Sequence, residues 1–453
     1  MQSNGGISGI ENVSETPVST LMSGPAAGVI GTKYVGNIHD YKKLIGLDIG
    51  GTSADITVIP DKLLEINFQD SEIAGYPVLF PQLDVISIGA GGGSIAWVDS
   101  GGGFNVGRKS AGADPGPACY DRGGTEATVT DAHIVLGRID PNNFLGGRIK
   151  LRKELSIKAM QESICEPFNM TLEEAALSTL EIINANMVRA IRIHSIQRGY
   201  DPREFALVSF GGAGPLHACD IAESLEIPVV LVPPAPGVTS AMGLLATDLK
   251  FDYIKTIGTM LDSVEKSQIE QIYREMIEEA KSQIQKDVNQ AKEDRQIKII
   301  KQMDCRYVGQ GFELTIEFDG FTENWKEEIQ RKFNQAHEDT YGFSFEGNPI
   351  EIINLRVQTI GEMPDLEVPR RESDSSKEVP YKFVKTIFGS PKKYEEYEVP
   401  SFDRNDLPTG YILNGPAIIN GIDSTVIIKP NWQGEVLYDA TIKLTKKGDD
   451  LNE

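Results

Sequence analysis

The sequence predicts an α/β fold over residues 1–250, followed by a mixed α+β domain over residues 251–453. Three stretches carry this prediction. Residues 44–59, LIGLDIGGTSADITVI, set apolar, β-branched runs on either side of Gly50-Gly51-Thr52, the pattern of strand, glycine turn, strand. Residues 205–225, FALVSFGGAGPLHACDIAESL, read as an apolar strand, a glycine turn and a helix. Residues 171–198 carry Leu172, Ala175, Ala176, Leu180, Ile183, Met187 and Ile191 at mostly three- and four-residue steps, one buried stripe of a long helix.

Residues 1–37 read like the interior of a domain, apolar and punctuated by glycine. Ser23-Gly24-Pro25 opens a small-residue helix, with Ser23 as N-cap and Pro25 in the first turn. Its alanines and glycines allow a second helix to come close, and they also suit an ordinary tightly packed core helix. In the 44–59 hairpin, the glycines let backbone N–H groups approach a phosphate as a nest. Asp48 and Asp55 fall at the mouth of the turn, where carboxylates can hold Mg²⁺ directly or through its waters. The same residue types also satisfy a plain hairpin turn.

Residues 84–96, DVISIGAGGGSIA, give an apolar entry strand and a turn of three glycines, Gly91, Gly92 and Gly93. Residues 110–136 are dense in Gly, Pro and Asp and predict a structured loop rather than helix or sheet. In the long helix, Thr171 caps with Glu174 three residues on, and Gly199 stops it. Arg189, Arg192 and His194 near its C-terminal end suit the helix dipole better than catalysis. Residues 233–245, PPAPGVTSAMGLL, are again rich in small residues.

Beyond Asp248 the character changes. Residues 264–295 predict a charged amphipathic helix with Ile269, Ile272, Met276, Ile277, Ala280 and Ile284 on one face. Strands are expected at 297–303, 312–318 and 350–360, with a helix at 325–340 and one strand-like stretch over 304–316. Residues 365–380 predict a linker, and 411–444 short strands around Gly415-Pro416 and Pro430.

Composition narrows the class. At 453 residues, roughly two to four domains are expected from about 150 residues each. The net charge of −22 argues against nucleic-acid or anionic-membrane partners. Cys119, Cys165, Cys219 and Cys305 are scattered without a CxxC pair and read as free thiols in a reducing compartment. With no eighteen-residue apolar run and no signal pattern, a cytoplasmic protein without membrane attachment is expected.

The small-residue helix GPAAGVIG, the turn GLDIGGTSADITVI, the FGGAGPLHA turn and the second small-residue helix follow one another as in the second half of the actin-like (ribonuclease H-like) ATPase fold. With DVISIGAGGGSIA and SAGADPGPACYDRGGTEATVTDAHIVL between them, residues 1–250 resemble the hydantoinase A/5-oxoprolinase family. That family includes N-methylhydantoinase, oxoprolinase and subunits of acetone and acetophenone carboxylases. Residues 251–453 resemble its C-terminal domain.

The resemblance implies an ATP-dependent hydrolase of cyclic amides of the hydantoin, N-methylhydantoin or 5-oxoproline type, which phosphorylates the amide oxygen. It implies ATP and Mg²⁺ (or Mn²⁺) as cofactors. Asp48 and Asp55 would be catalytic, with Asp48 as the metal ligand, and Gly50, Gly51 and Thr52 would meet the phosphates. Gly211, Gly212 and Gly214 would meet the adenosine. Asp131 and His217 are substrate-site candidates, beside Asp114, Cys119 and His133, although their spacing matches no tetrahedral zinc signature. Cys119 also reads as a packed small apolar residue, and His217 as a local cap.

The family's first phosphate loop and its lobe are expected to be absent from this chain, since the D-x-G-G-T pattern occurs at Asp48. Partners then expected are a separate N-terminal lobe, a hydantoinase B-type subunit, or both, in an oligomer acting on a small molecule. Three alternatives stay open: a subunit of an acetone/acetophenone-type carboxylase, a non-catalytic nucleotide-binding subunit, and a truncated, nonfunctional remnant.

Overall fold

A computed structural model describes residues 1–64, 72–73, 75–78, 80–291, 297–318, 320–363, 366 and 378–448, with no side-chain detail over 285–291. The expected linker at 365–380 lies largely outside the described residues. Contacts divide the chain into two compact units that interleave along the sequence. One comprises Met1–Ser23, Ile66–Gln82 and Ala246–Asp365, the other Gly24–Glu65, Leu83–Leu245 and Leu366–Glu453. This differs from a single boundary at residue 250, because strands from the last stretch of chain extend the sheet of the larger unit.

In chain order come helix α1 (Ser23–Ile38), strands β1 (Leu44–Ile49), β2 (Ala54–Ile59) and β3 (Ile86–Ile88), and the hairpin β4 (Ser94–Val98) and β5 (Phe104–Ser110). Helices α2 (Val129–Val135) and α3 (Leu172–Ser195) follow, then β6 (Ala206–Phe210), α4 (Gly214–Leu225), β7 (Val229–Val232) and α5 (Thr239–Leu245). Next are β8 (Leu249–Met260), α6 (Lys266–Ala291), β9 (Ile297–Tyr307), β10 (Leu314–Glu317), α7 (Trp325–Tyr341) and β11 (Ile350–Gly361). The remaining strands are β12 (Tyr381–Ser390), β13 (Lys393–Asp403), β14 (Ile412–Asn414), β15 (Ala417–Asn420), β16 (Thr425–Ile428), β17 (Trp432–Val436) and β18 (Ile442–Lys446).

The larger unit is built on an eight-stranded mixed sheet in the order β14-β17-β18-β7-β6-β1-β2-β3. β1 sits inside it, antiparallel to β2 and parallel to β6. The apolar residues of β1, β6 and β7 are buried along nearly their whole length, as in a sheet covered on both faces. A Cβ on Gly46 of β1 would lie 2.4 Å from the Thr32 Oγ1 of α1, so helix and strand meet with no room for a side chain. The close helix approach expected of the small residues is made by α5: a Cβ on Gly243 would fall 2.0 Å from the Ala27 carbonyl oxygen. A second sheet, β12-β13-β15-β16, belongs to the same unit.

Helix α3 keeps its expected cap. Thr171 Oγ1 accepts from the Glu174 N–H while Glu174 accepts from the Thr171 N–H, and Gly199 at φ +85 follows its last turn. The stretch 110–136 departs from the loop reading, because α2 occupies its end. Its start is a second capping box, Thr128 with Asp131.

The smaller unit holds a four-stranded antiparallel sheet in the order β8-β11-β9-β10. Ile269, Tyr273, Met276 and Ala280 of α6 and Ile329 and Phe333 of α7 pack with Met303, Cys305, Leu355 and Val357 of the strands. The single strand expected over 304–316 is broken. The chain turns after Tyr307, with Gly309 at φ +89, and pairs back on itself as β10.

Candidate functional site

The site grows from the β1–β2 hairpin. Strand register sets Asp48 directly across from Asp55, on the last turn of strand before Gly50. The Gly50 N–H closes the turn onto the Ser53 carbonyl at 3.0 Å. A second glycine turn is zipped onto the first: the N–H groups of Gly92 and Gly93 donate to the carbonyls of Gly50 and Gly51 at 3.0 and 2.6 Å. Thr130, at the start of α2, donates from N–H and Oγ1 to the Gly92 carbonyl, each at 2.8 Å. A Cβ on Gly91 would come within 2.6 Å of the Thr52 nitrogen, which explains why this second turn is glycine. At Gly51, by contrast, a Cβ would meet nothing within 4 Å, and Gly51 and Thr52 are exposed. The hairpin turn is thus held from beneath and open above.

The turn after β6 joins from the other side. The Ala213 N–H donates to the Ile49 carbonyl and the Gly211 N–H to the Pro236 carbonyl, both at 2.9 Å. Gly211 has φ +76, and a Cβ there would fall 2.3 Å from an Asp48 carboxylate oxygen. Gly211 therefore supports Asp48 rather than offering an open face. Gly214 is buried in the first turn of α4, and of the three glycines expected at the adenosine only Gly212 lines the adjoining cavity.

That cavity has a volume of about 190 Å³. Gly50, Gly51, Gly92, Gly93 and Gly112 contribute to its lining. Tyr120, Ile139, Phe144, Leu145, Leu216 and Ile422 add apolar lining. Asn420, Asp423 and Thr425, around the turn between β15 and β16, also line it, as does Asp140. Among the described residues no lysine or arginine lines the cavity.

Electrostatics single out Asp48. Burial, and then the neighbouring Asp55 carboxylate, push its pKa up to about 6, against a hydrogen bond from Ser240 Oγ at 3.2 Å. Asp55 accepts from Ser87 Oγ. Two close carboxylates, one of them costly to ionise, fit a divalent cation, whose charge would favour both anions. Among the described residues no group of three or more His, Cys, Asp or Glu gathers to hold a metal, so the pair would need phosphate or water oxygens to complete a shell. The open glycine turn suits a phosphate, and the mixed cavity beside it suits a nucleoside.

Asp131 and His217 are placed differently. Asp131 is fully buried, and its carboxylate accepts from the N–H groups of Ala118, Cys119 and Thr128 and from Ser156 Oγ. It organises the 118–128 loop, and Cys119 packs beside it as a buried thiol. His217 is also buried, with Nδ1 2.7 Å from Asn184 Oδ1 and Nε2 3.3 Å from His133 Nε2. Burial lowers its pKa to about 4. Its neighbour Leu216 faces the cavity, while both nitrogens of His217 are engaged within the core.

Sequence reasoning missed Ser240, Tyr120, Phe144, Ile422 and Asp423. The Asn420-Gly421-Ile422-Asp423 run is a turn signal, but nothing local connects it to a glycine turn two hundred residues earlier.

Among the described residues, no helix is long and apolar enough to cross a membrane. Compared with known proteins, the chain is 33% identical over 454 residues to the caprolactamase subunit alpha of Pseudomonas jessenii, covering 98% of this chain and 64% of that one. The crystal structure of the ATP-dependent caprolactamase from Pseudomonas jessenii matches with a TM-score of 0.81 and 31% identity, over 98% of this chain and 64% of that one. A nucleotide-free acetone carboxylase structure matches with a TM-score of 0.77 and 25% identity over the same shares. The chain thus spans less than two-thirds of the length of these relatives, and shares with both structures a mixed α/β fold. The profile of the Hydantoinase/oxoprolinase family matches residues 1–253, and with those glycine turns and that carboxylate pair inside the matched span, the chain belongs to the hydantoinase/oxoprolinase family.

Proposed function

We propose that this chain is the nucleotide-binding component of an ATP-dependent enzyme that activates a cyclic amide by phosphorylating its carbonyl oxygen. The observation that carries the reading is the convergence of Asp48, Asp55 and the open Gly50-Gly51 turn beside a cavity of nucleoside character. The β3-β2-β1-β6-β7 part of the sheet, with helix α4 after the second turn, is read as an actin-like ATPase lobe. ATP supplies the phosphoryl group that turns an amide oxygen into a good leaving group. Phosphoryl transfer asks the protein mainly for positioning and charge neutralisation.

In this reading the main chain of Gly50, Gly51 and Thr52 cradles the phosphates. Asp48 and Asp55 hold Mg²⁺, directly or through its waters, and Gly212 lies against the nucleoside. Asp131 and His217 act behind the site, fixing the loop and helix that wall it. The acceptor is a small cyclic amide, and catalysis calls for the family's first lobe together with a hydantoinase B-type subunit.

A carboxylase reading is supported by the acetone carboxylase likeness, which covers as much of the chain. The higher identity and TM-score of the caprolactamase favour the amide reading. ADP release from ATP–Mg²⁺ tests both, with the chain alone and with the first lobe and a B-type subunit added. ε-Caprolactam, hydantoin and 5-oxoproline are offered as acceptors, then acetone or acetophenone with bicarbonate. Stimulation by a cyclic amide is expected; stimulation by a ketone alone would favour the carboxylase, and none by any acceptor with the lobe and subunit present would refute both.

A further inference from the structure

The turn between β15 and β16 brings a carboxylate to the cavity from far along the chain. Asp423 Oδ2 accepts from the Gly237 N–H at 2.6 Å, fixing the turn to the segment that precedes α5. No other hydrogen bond to this carboxylate is present among the described residues, so Oδ1 keeps its acceptor capacity while Asp423 lines the cavity. The other acid lining the cavity, Asp140, differs: Lys382 Nζ and the Asn142 N–H already hold it.

Position along the cavity follows from close contacts. A Cβ on Gly92 would lie 3.9 Å from the Gly50 carbonyl oxygen and 3.8 Å from Ala213 Cβ. A Cβ on Gly212 would lie 3.5 Å from the Asp423 carbonyl oxygen. Gly92 therefore lies between the phosphate turn and Ala213, and Gly212, the neighbour of Ala213 in the chain, lies against Asp423. An acidic acceptor close to a phosphate cradle, in a cavity that apolar side chains also line, suits a ribose. A carboxylate there can accept from vicinal hydroxyls, as acids do in other nucleotide folds.

We propose that Asp423 is a specificity-determining residue that accepts hydrogen bonds from the ribose hydroxyls of the nucleotide. This inference rests on the nucleotide reading above. Because Asp423 also holds Gly237, it is tested by discrimination between ligands rather than by affinity alone. Binding of ATP, 2′-deoxy-ATP and 3′-deoxy-ATP, each with Mg²⁺, is measured by calorimetry on the whole chain, wild type, Asp423→Asn and Asp423→Ala.

The wild type is expected to bind ATP about tenfold or more tightly than at least one deoxy analogue, as for a hydrogen bond to a charged acceptor. Asp423→Ala should bind all three alike. Asp423→Asn, which keeps an acceptor for the Gly237 N–H, should show an intermediate ratio. A wild type that does not discriminate, or an Asp423→Ala protein that keeps the wild-type ratio, overturns the inference and leaves nucleotide binding standing. No binding of any nucleotide by the wild type overturns both.

Discussion

Asp48 and Asp55 face each other directly across the β1–β2 hairpin, the pair to which the proposed reading gives the cation. Asp48 bears the cost, with a pKa pushed up to about 6 by burial and by the Asp55 charge. Its carboxylate is uncomfortable at neutral pH in the free protein. Removing that charge should not harm the fold. The Asp48→Asn protein is expected to melt at or above the wild-type temperature at pH 7 while losing Mg²⁺–nucleotide binding; thermal unfolding beside calorimetry checks both.

The same carboxylate sets a pH dependence. A cation at the pair competes with the proton on Asp48, so metal–nucleotide affinity should weaken as pH falls through about 6. Near that pH, binding should release part of a proton. Calorimetry on the wild type in two buffers of different ionisation enthalpy reads this directly.

The two glycine turns make a paired test. A methyl at Gly91 would meet the Thr52 nitrogen at 2.6 Å, and Gly91→Ala should cost about 1–3 kcal/mol of stability. A methyl at Gly51 meets no atom within 4 Å, so Gly51→Ala should change stability by less than about 0.5 kcal/mol. It should nevertheless weaken nucleotide binding about tenfold or more, because the methyl projects where the phosphate would lie. Urea unfolding and calorimetry on the two proteins separate the effects.

Much of this site was legible because glycine turns and their apolar strands are local patterns. The hairpin, the β6–α4 turn and the capping box at Thr171 all lie within a few residues of their own signals. The capping box at Thr128 was equally local, but the density of Gly, Pro and Asp before it pointed to a loop. β12 and β13 were not legible: Lys382, Lys385, Glu395, Glu396 and Glu398 break the apolar alternation of strands that are largely exposed. Asp423 reaches Gly237 across 186 residues, a relation only the assembled sheet reveals.

The buried histidines give a stability signature. His217 stays neutral when folded, with a pKa lowered to about 4 by burial, while in the unfolded chain it ionises near its ordinary value. The unfolded state therefore binds more protons between these values, and this contribution to stability falls as pH drops below about 6.5. By pH 5 it should reach about 2 kcal/mol from His217 alone. Urea unfolding of wild type and His217→Gln at pH 7.5 and 5 should show the steeper loss in the wild type.

In the smaller unit, Asp304 is fully buried and accepts from Arg356 Nε at 2.7 Å, with Thr315 and Asn354 also donating. Asp304→Ala takes the carboxylate from a buried guanidinium and should cost about 3–5 kcal/mol, measured by urea unfolding.

A calorimetric titration of ATP with Mg²⁺ into this chain and its Asp48→Ala variant tests whether the Asp48 hairpin holds nucleotide. Saturable binding by the wild type that is lost in the variant is the predicted result. Equal binding by both, or none by the wild type, would contradict a nucleotide site built on the Asp48 hairpin.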